Sequence, residues 1–189
     1  MRKYNKTITL LFFVLLLSSG CGNNNEIPKT RNVEESKVYS ALINKQLEDP
    51  LGYLSLGEPI VFINYSYFED FEDDYLFSTI KSIDDETVED FRKINQTSEM
   101  LSTSLTINKQ YEYVPLPSDE TGWLQFQENY PNVITIATLS KIGFNNKLDQ
   151  ALVYMAYYCG DECGLAKIYF LVRKGDLWDV KGSLDLWVR

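Results

Sequence analysis

The sequence predicts an α+β fold: a C-terminal antiparallel β-meander of about four strands, joined by one or two N-terminal strands and packed by two or three helices. Two observations carry this reading. First, four runs rich in β-branched and aromatic residues follow one another at Ile134 to Leu139, Ala151 to Cys159, Lys167 to Arg173 and Leu177 to Val188. They are separated by Gly143-Phe144-Asn145-Asn146, by Cys159-Gly160-Asp161-Glu162-Cys163-Gly164 and by Lys174-Gly175-Asp176, which are turn-forming sequences. Second, apolar residues recur at helical spacing in separate stretches upstream of the meander. At 189 residues, 44% of them hydrophobic, the chain is long enough for one domain with its own core and too short to favour two.

The chain opens with a targeting segment over residues 1–20. Arg2, Lys3 and Lys6 form a positive start, and the apolar run from Ile8 to Leu17 is too short to span a bilayer comfortably. Ser18-Ser19-Gly20 then places small residues before Cys21, as in a bacterial lipoprotein signal whose cysteine is lipidated. The usual aliphatic residue three places before the cysteine is Ser18 here, so a plain secretory peptide is the competing reading. Either reading exports the protein. Loss of Arg2, Lys3 and Lys6 takes the net charge from −9 to −12, so an acyl anchor at Cys21, rather than electrostatics, is expected to hold the protein to a membrane. Residues 21–31 are polar and aperiodic and read as a tether, leaving 32–189 as the single domain. The expected address is the bacterial cell envelope, with the domain periplasmic or surface-exposed. Gly22 after the cysteine is not a retaining aspartate, which favours the outer membrane in a Gram-negative host.

Val33 to Glu48 reads as a helix, with Asn32 and Glu35 as a loose capping box, Val38, Tyr39, Leu42, Ile43 and Leu47 on one side, and Asp49-Pro50 as its stop. Ile60 to Tyr67 reads as a strand whose four leading apolar residues predict cover on both faces. Phe68 to Tyr75 then interleaves five carboxylates with aromatics. That composition fits either a calcium site or a solvated acidic loop, and it lacks the glycine and closing glutamate of the helix-loop-helix calcium loop. Asp84-Asp85-Glu86 starts a second helix carrying Val88, Phe91 and Ile94. Leu101 to Ile107 alternates weakly and Gln110 to Val114 alternates tyrosines with polar residues. Beyond Pro115 and Pro117, Ser118 is the expected cap of a helix through Trp123, Phe126 and Tyr130 that Pro131 ends.

In the last strand Trp178, Val180, Leu184, Leu186 and Val188 alternate with Asp179, Lys181, Ser183 and Asp185, interrupted by Gly182 as a candidate bulge. Ile168, Phe170 and Val172 likewise oppose Lys167, Tyr169 and Arg173. This alternation predicts a sheet with one buried and one half-wet face.

Gly122-Trp123, Phe126, Tyr130-Pro131, Leu139-Ser140, Gly143-Phe144-Asn145, Gln150-Ala151-Leu152-Val153-Tyr154, Cys159-Gly160, Cys163-Gly164, Gly175, Trp178 and Trp187 together resemble, in order and spacing, a family of uncharacterised bacterial lipoproteins. The resemblance covers about the last third of the chain, with weaker support around Val88 to Ile94. It implies an envelope address and this fold, and, the family having no assigned activity, no catalytic residue.

With no histidine, Ser-His-Asp and Cys-His catalysis and histidine-based zinc sites are excluded. The acidic balance disfavours nucleic acid. Cys159 and Cys163, an even pair once Cys21 is lipidated, suit a disulfide closing a hairpin; free thiols and a redox or metal role are the alternatives. Closure of so small a loop is worth about 2 kcal/mol. The 13 tyrosines fall largely on predicted strands, and Tyr154, Tyr158 and Tyr169 are the candidate surface for an envelope protein or a glycan; cross-strand packing is the simpler reading. The expected function is a non-catalytic, lipid-anchored binding module needing no cofactor. The rivals are a histidine-free hydrolase using paired carboxylates and a calcium-dependent assembly protein.

Overall fold

The computed structural model describes residues 26–49, 59–68, 77, 80, 82–101, 103–115, 117, 119–159 and 163–188. The signal-like segment, Cys21, Pro50, the stretch from Glu69 to Tyr75, Ser118 and the turn Gly160-Asp161-Glu162 lie outside the described residues. Among the described residues three helices are formed, α1 (Glu26–Leu47), α2 (Asp85–Ile94) and α3 (Glu120–Asn129). They pack on strands β1 (Ile60–Ile63), β2 (Tyr111–Val114), β3 (Ile136–Leu139), β4 (Gly143–Phe144), β5 (Gln150–Tyr158), β6 (Gly164–Lys174) and β7 (Leu177–Val188).

The strands make one seven-stranded sheet in the order β2-β1-β3-β5-β6-β7, with β4 beside β5. The fold is α+β, and β5-β6-β7 is the antiparallel meander that the turn punctuation predicts. The N-terminal strands join differently, because β1 runs parallel to both β2 and β3. Chain order explains this. α2 lies between β1 and β2, and α3 between β2 and β3. A helical crossover returns the chain in its original direction, whereas a tight turn reverses it.

α1 begins at Glu26, earlier than the expected Val33, so residues 26–31 of the expected tether are helical. Pro28 falls in the first turn, where an amide N–H has no intrahelical partner to lose. Asn32 is therefore inside the helix and does not cap it. The expected apolar stripe holds: Val38, Tyr39, Leu42 and Ile43 are buried against Ile60, Phe62, Val153 and Leu171 on one face of the sheet. Glu34, on the same helix, is buried and accepts hydrogen bonds from Trp178 Nε1 (2.7 Å) and Lys37 Nζ (2.9 Å). Burial alone would raise its carboxyl, but these two donors, with Arg173 nearby, hold it below its ordinary range.

The opposite face, expected to be half wet, is also covered. α2 buries Phe91 against Leu152, Tyr154, Ile168 and Phe170. α3 packs Phe126 and Tyr130 over Val61, Ile63, Val114 and Ile136. β5 is consequently buried from Ala151 to Tyr157 without interruption. The cap of α3 is Asp119, whose Oδ1 accepts the Gly122 N–H at 2.8 Å.

Register in β7 departs from simple alternation. Leu171 pairs with Val180 and Phe170 with Gly182, so Lys181 is an extra residue opposite that step. One inserted residue exchanges the faces. Trp178 and Val180 thus join the α1 layer, while Leu186 packs on the α2 side. A second shift, with Leu186 extra between the pairs Lys167–Asp185 and Ala166–Trp187, brings Trp187 to that side as well, and the expected single apolar face is split in two.

Close packing of α2 on β4 depends on Gly143. A Cβ there would lie 2.4 Å from Phe91 Cα, a main-chain atom that cannot rotate away. Gly143→Ala is therefore expected to cost at least about 1–3 kcal/mol through forced displacement of α2. Denaturant unfolding checks this; an unchanged midpoint would show that α2 does not rest on β4.

Candidate functional site

Arg31 is a dense side-chain hub where α1, α2 and β4 meet. It lies one helical turn before Glu35 and donates from Nε to Glu35 Oε1 at 3.2 Å. Its Nη2 donates to Asp90 Oδ2 at 2.9 Å and to the Ile142 carbonyl at 2.7 Å, with Nη1 3.5 Å from Asp90 Oδ1. The guanidinium also lies over the Phe144 ring, 5.2 Å from its centre. Asp90 Oδ2 completes the arrangement by accepting the Phe144 N–H at 2.8 Å. Burial works against the charge on Arg31, but Asp90 and Glu35 more than offset it and raise its pKa. Glu35 is affected the other way. Burial, with Asp90 and Glu99 adding repulsion, raises its carboxyl despite Arg31.

Beside this hub opens a cleft of about 1020 Å³. α1 contributes Arg31, Val33, Glu35 and Lys37; the end of α2 contributes Lys93; the following segment contributes Glu99, Met100 and Ser104; Lys141 closes one wall. The floor is stitched by side chains where strand pairing is missing. Ser36 Oγ bonds the Ser104 carbonyl, Ser40 Oγ accepts the Thr106 N–H at 2.9 Å, and Asn44 Nδ2 donates to the Thr106 carbonyl at 3.0 Å. From the sheet side, Tyr111 Oη accepts the Leu105 N–H and Tyr113 Oη donates to the Thr103 carbonyl. Among the described residues of the weakly alternating stretch, 101 and 103–107, no strand forms, and residues 103–106 are held by serines, an asparagine and tyrosines instead.

Four cations, Arg31, Lys37, Lys93 and Lys141, and two carboxylates, Glu35 and Glu99, line this cleft. In a chain of net charge −9 that is a local reversal of sign. Lys141 is bound to Glu99 at 3.1 Å and Lys37 to Glu34 at 2.9 Å. Of these lining residues the sequence marks only Glu35, and as a capping residue rather than a site; the others come from four separate stretches, and a positive cluster visible only after folding leaves no motif.

The tyrosines of the candidate surface do not form one. Tyr154 is fully buried under α2, 5.7 Å from Phe68 between ring centres. Tyr169, paired with Val153, faces the other side of the sheet and is buried under α1. There Tyr157 and Tyr169 hydroxyls both donate to Gln46 Oε1, at 2.9 and 3.1 Å. Tyr158 shares the face of Tyr154 but sits at the strand end, its ring centre 5.7 Å from that of Trp187 with the planes tilted by 42°. The expectation assumed a half-wet sheet face; with helices on both faces, two of these residues became core.

Cys159 and Cys163 lie at disulfide-bonding distance, Cα to Cα 5.0 Å, and the Cys159 N–H donates to the Cys163 carbonyl at the mouth of the β5-β6 hairpin. Among the described residues no group of three histidine, cysteine, aspartate or glutamate side chains could hold a metal ion. Cys21 and the carboxylates Glu69, Asp70, Glu72, Asp73 and Asp74 lie outside the described residues.

Burial raises the Tyr39 and Tyr157 hydroxyls well above their ordinary value and pushes Tyr169 up to about 12. Raised folded-state values mean that the native state keeps protons the unfolded chain gives up near pH 10. This contribution is complete below about pH 10 and is lost as pH rises through the folded values. Urea unfolding at graded alkaline pH should show stability falling above about pH 10, with a slope about one proton shallower in Tyr169→Phe. An identical slope in the variant would contradict the assignment.

Comparison with known protein families, curated proteins and solved structures finds no match for this chain.

Proposed function

We propose that this protein is an exported, lipid-anchored module of the bacterial cell envelope that binds a partner without catalysis. The observation that carries the binding reading is the open, cation-lined cleft between α1 and residues 94–104, built on a floor whose main chain is fixed by side-chain hydrogen bonds. The sheet, the first place to seek a ligand surface, is occupied by helices on both faces. The export reading is supported by Arg2, Lys3 and Lys6, the apolar run to Leu17, and the small residues before Cys21, together with the resemblance to envelope lipoproteins. Lipid at Cys21 serves as address, and the cleft carries recognition.

One observation favours the hydrolase rival. Glu35, its carboxyl raised, and Glu99 line the same cleft, which is the pairing that carboxylate chemistry needs. Against it, Glu35 accepts a hydrogen bond from Arg31, which stabilises its ionised form, and the cleft is open to water. Binding without turnover is the reading these contacts favour.

A pull-down from intact envelope separates the two. Full-length protein, a Cys21→Ala form and a cleft-blocked Ser104→Trp form are each used as bait, with retained species identified by mass spectrometry. The expected result is one species held by the first two and lost from the third, and held undiminished by Glu35→Gln. Equal retention by the blocked form would remove the cleft from the account; a retained species converted to product only when Glu35 is intact would make the protein an enzyme.

A further inference from the structure

Resting on the cleft as the binding site, we propose the class of its ligand: an extended peptide segment bearing a carboxylate, laid along residues 99–101 with its acidic side chain at Lys93.

Three independent features converge on this. The first is an open main-chain edge. Met100 bridges Tyr65 in antiparallel fashion, and the bonds of that bridge are Ser66 N–H to the Glu99 carbonyl and Leu101 N–H to the Asn64 carbonyl. Both belong to the neighbours of Met100, so the N–H and carbonyl of Met100 itself are turned away from Tyr65, the geometry of a non-hydrogen-bonded antiparallel pair. Neither has a partner among the described residues. An edge of this kind takes an added extended strand, which supplies one acceptor and one donor at strand spacing.

The second is charge. Arg31 is committed to Asp90 and Glu35, Lys37 to Glu34, and Lys141 to Glu99. Lys93 alone among the cleft cations has no ion-pair partner among the described residues. One uncommitted ammonium calls for one monoanion, which fits a carboxylate better than a phosphate dianion. The surrounding acidic protein would likewise repel a ligand of high charge density. The third is apolar surface. Val33 is 48% exposed and Met100 63% exposed, and both line the cleft, where they can meet the alternate apolar side chains of an extended strand.

The test is selection from a random peptide library displayed on phage, against the full chain in detergent and against Lys93→Glu. The expected outcome is enrichment of segments alternating apolar residues with Asp or Glu for the native protein, and a switch to Lys or Arg for the variant. A selected acidic peptide should lose about tenfold or more in affinity for Lys93→Glu, the effect of replacing attraction by repulsion at one contact. Circular dichroism checks that the variant is folded, since Lys93 is exposed and supports no contact in the core. Enrichment indifferent to charge, or unchanged by Lys93→Glu, overturns the assignment. No enrichment at all overturns the peptide class, while a glycan or other species recovered in the pull-down and lost with Ser104→Trp would leave the cleft itself standing.

Discussion

The Arg31–Asp90 pair joins two layers that the sheet keeps apart. α1 covers one face and α2 the other, and the contact between them passes around β4, a strand of two residues paired only with β5. At that narrow point Ile142 and Phe144 belong to the α1 layer, while Gly143 lies directly beneath Phe91 of α2. The guanidinium reaches across, holding Asp90 of α2, the Ile142 carbonyl and the Phe144 ring at once. With side chains 29% and 25% exposed, the pair is screened only in part and is expected to contribute about 1–3 kcal/mol. Glu34, three residues on, ties the same helix to β7 through Trp178. Loss of the first tie would free the start of α1, which is also a wall of the cleft.

The cleft is thus a by-product of how the core is closed. α1 docks by its apolar stripe, and its polar stripe of Ser36, Ser40 and Asn44, spaced by single helical turns, is left facing the chain between α2 and β2. That chain has no strand partner over residues 103–107, so hydroxyls and an amide satisfy its main chain instead. The tyrosines act in the same way. Tyr111 and Tyr113 bury their rings against Phe62 and spend their hydroxyls on Leu105 and Thr103. The surplus of tyrosine is therefore explained, at these positions, by main chain that needs polar tips at the ends of apolar bodies.

What the sequence made legible were the elements with strong local signals. The helical stripes at Val38 to Ile43 and at Phe91, the all-apolar start of β1 and the Gly175-Asp176 turn of the meander stand where periodicity and turn chemistry put them. Gly143-Phe144, read as part of a turn, instead pairs with β5 as β4, with both residues buried. The parallel pairing of β1 was present in the strand-helix-strand order, yet direction is a property of the crossover and not of the strand's own residues. The split face of β7 turned on two inserted residues, Lys181, beside the Gly182 that marked an irregularity, and Leu186, which nothing in the local sequence marked. Tyr154 and Tyr169 were misplaced for a related reason: alternation says that neighbours face opposite ways but not whether a helix waits on each side. Arg31 fell in a stretch whose polarity read as tether, and its partners Asp90 and Ile142 are 59 and 111 residues away. No local pattern encodes such a contact.

A double-mutant cycle on Arg31→Met and Asp90→Asn, read by denaturant unfolding, tests the tie between the two layers most directly. Each change is expected to destabilise the protein, and the pair to be coupled by about 1–2 kcal/mol, the second change costing little once the first is made. Coupling within about 0.3 kcal/mol of zero would contradict that tie, since the two helices would then be held to the sheet independently.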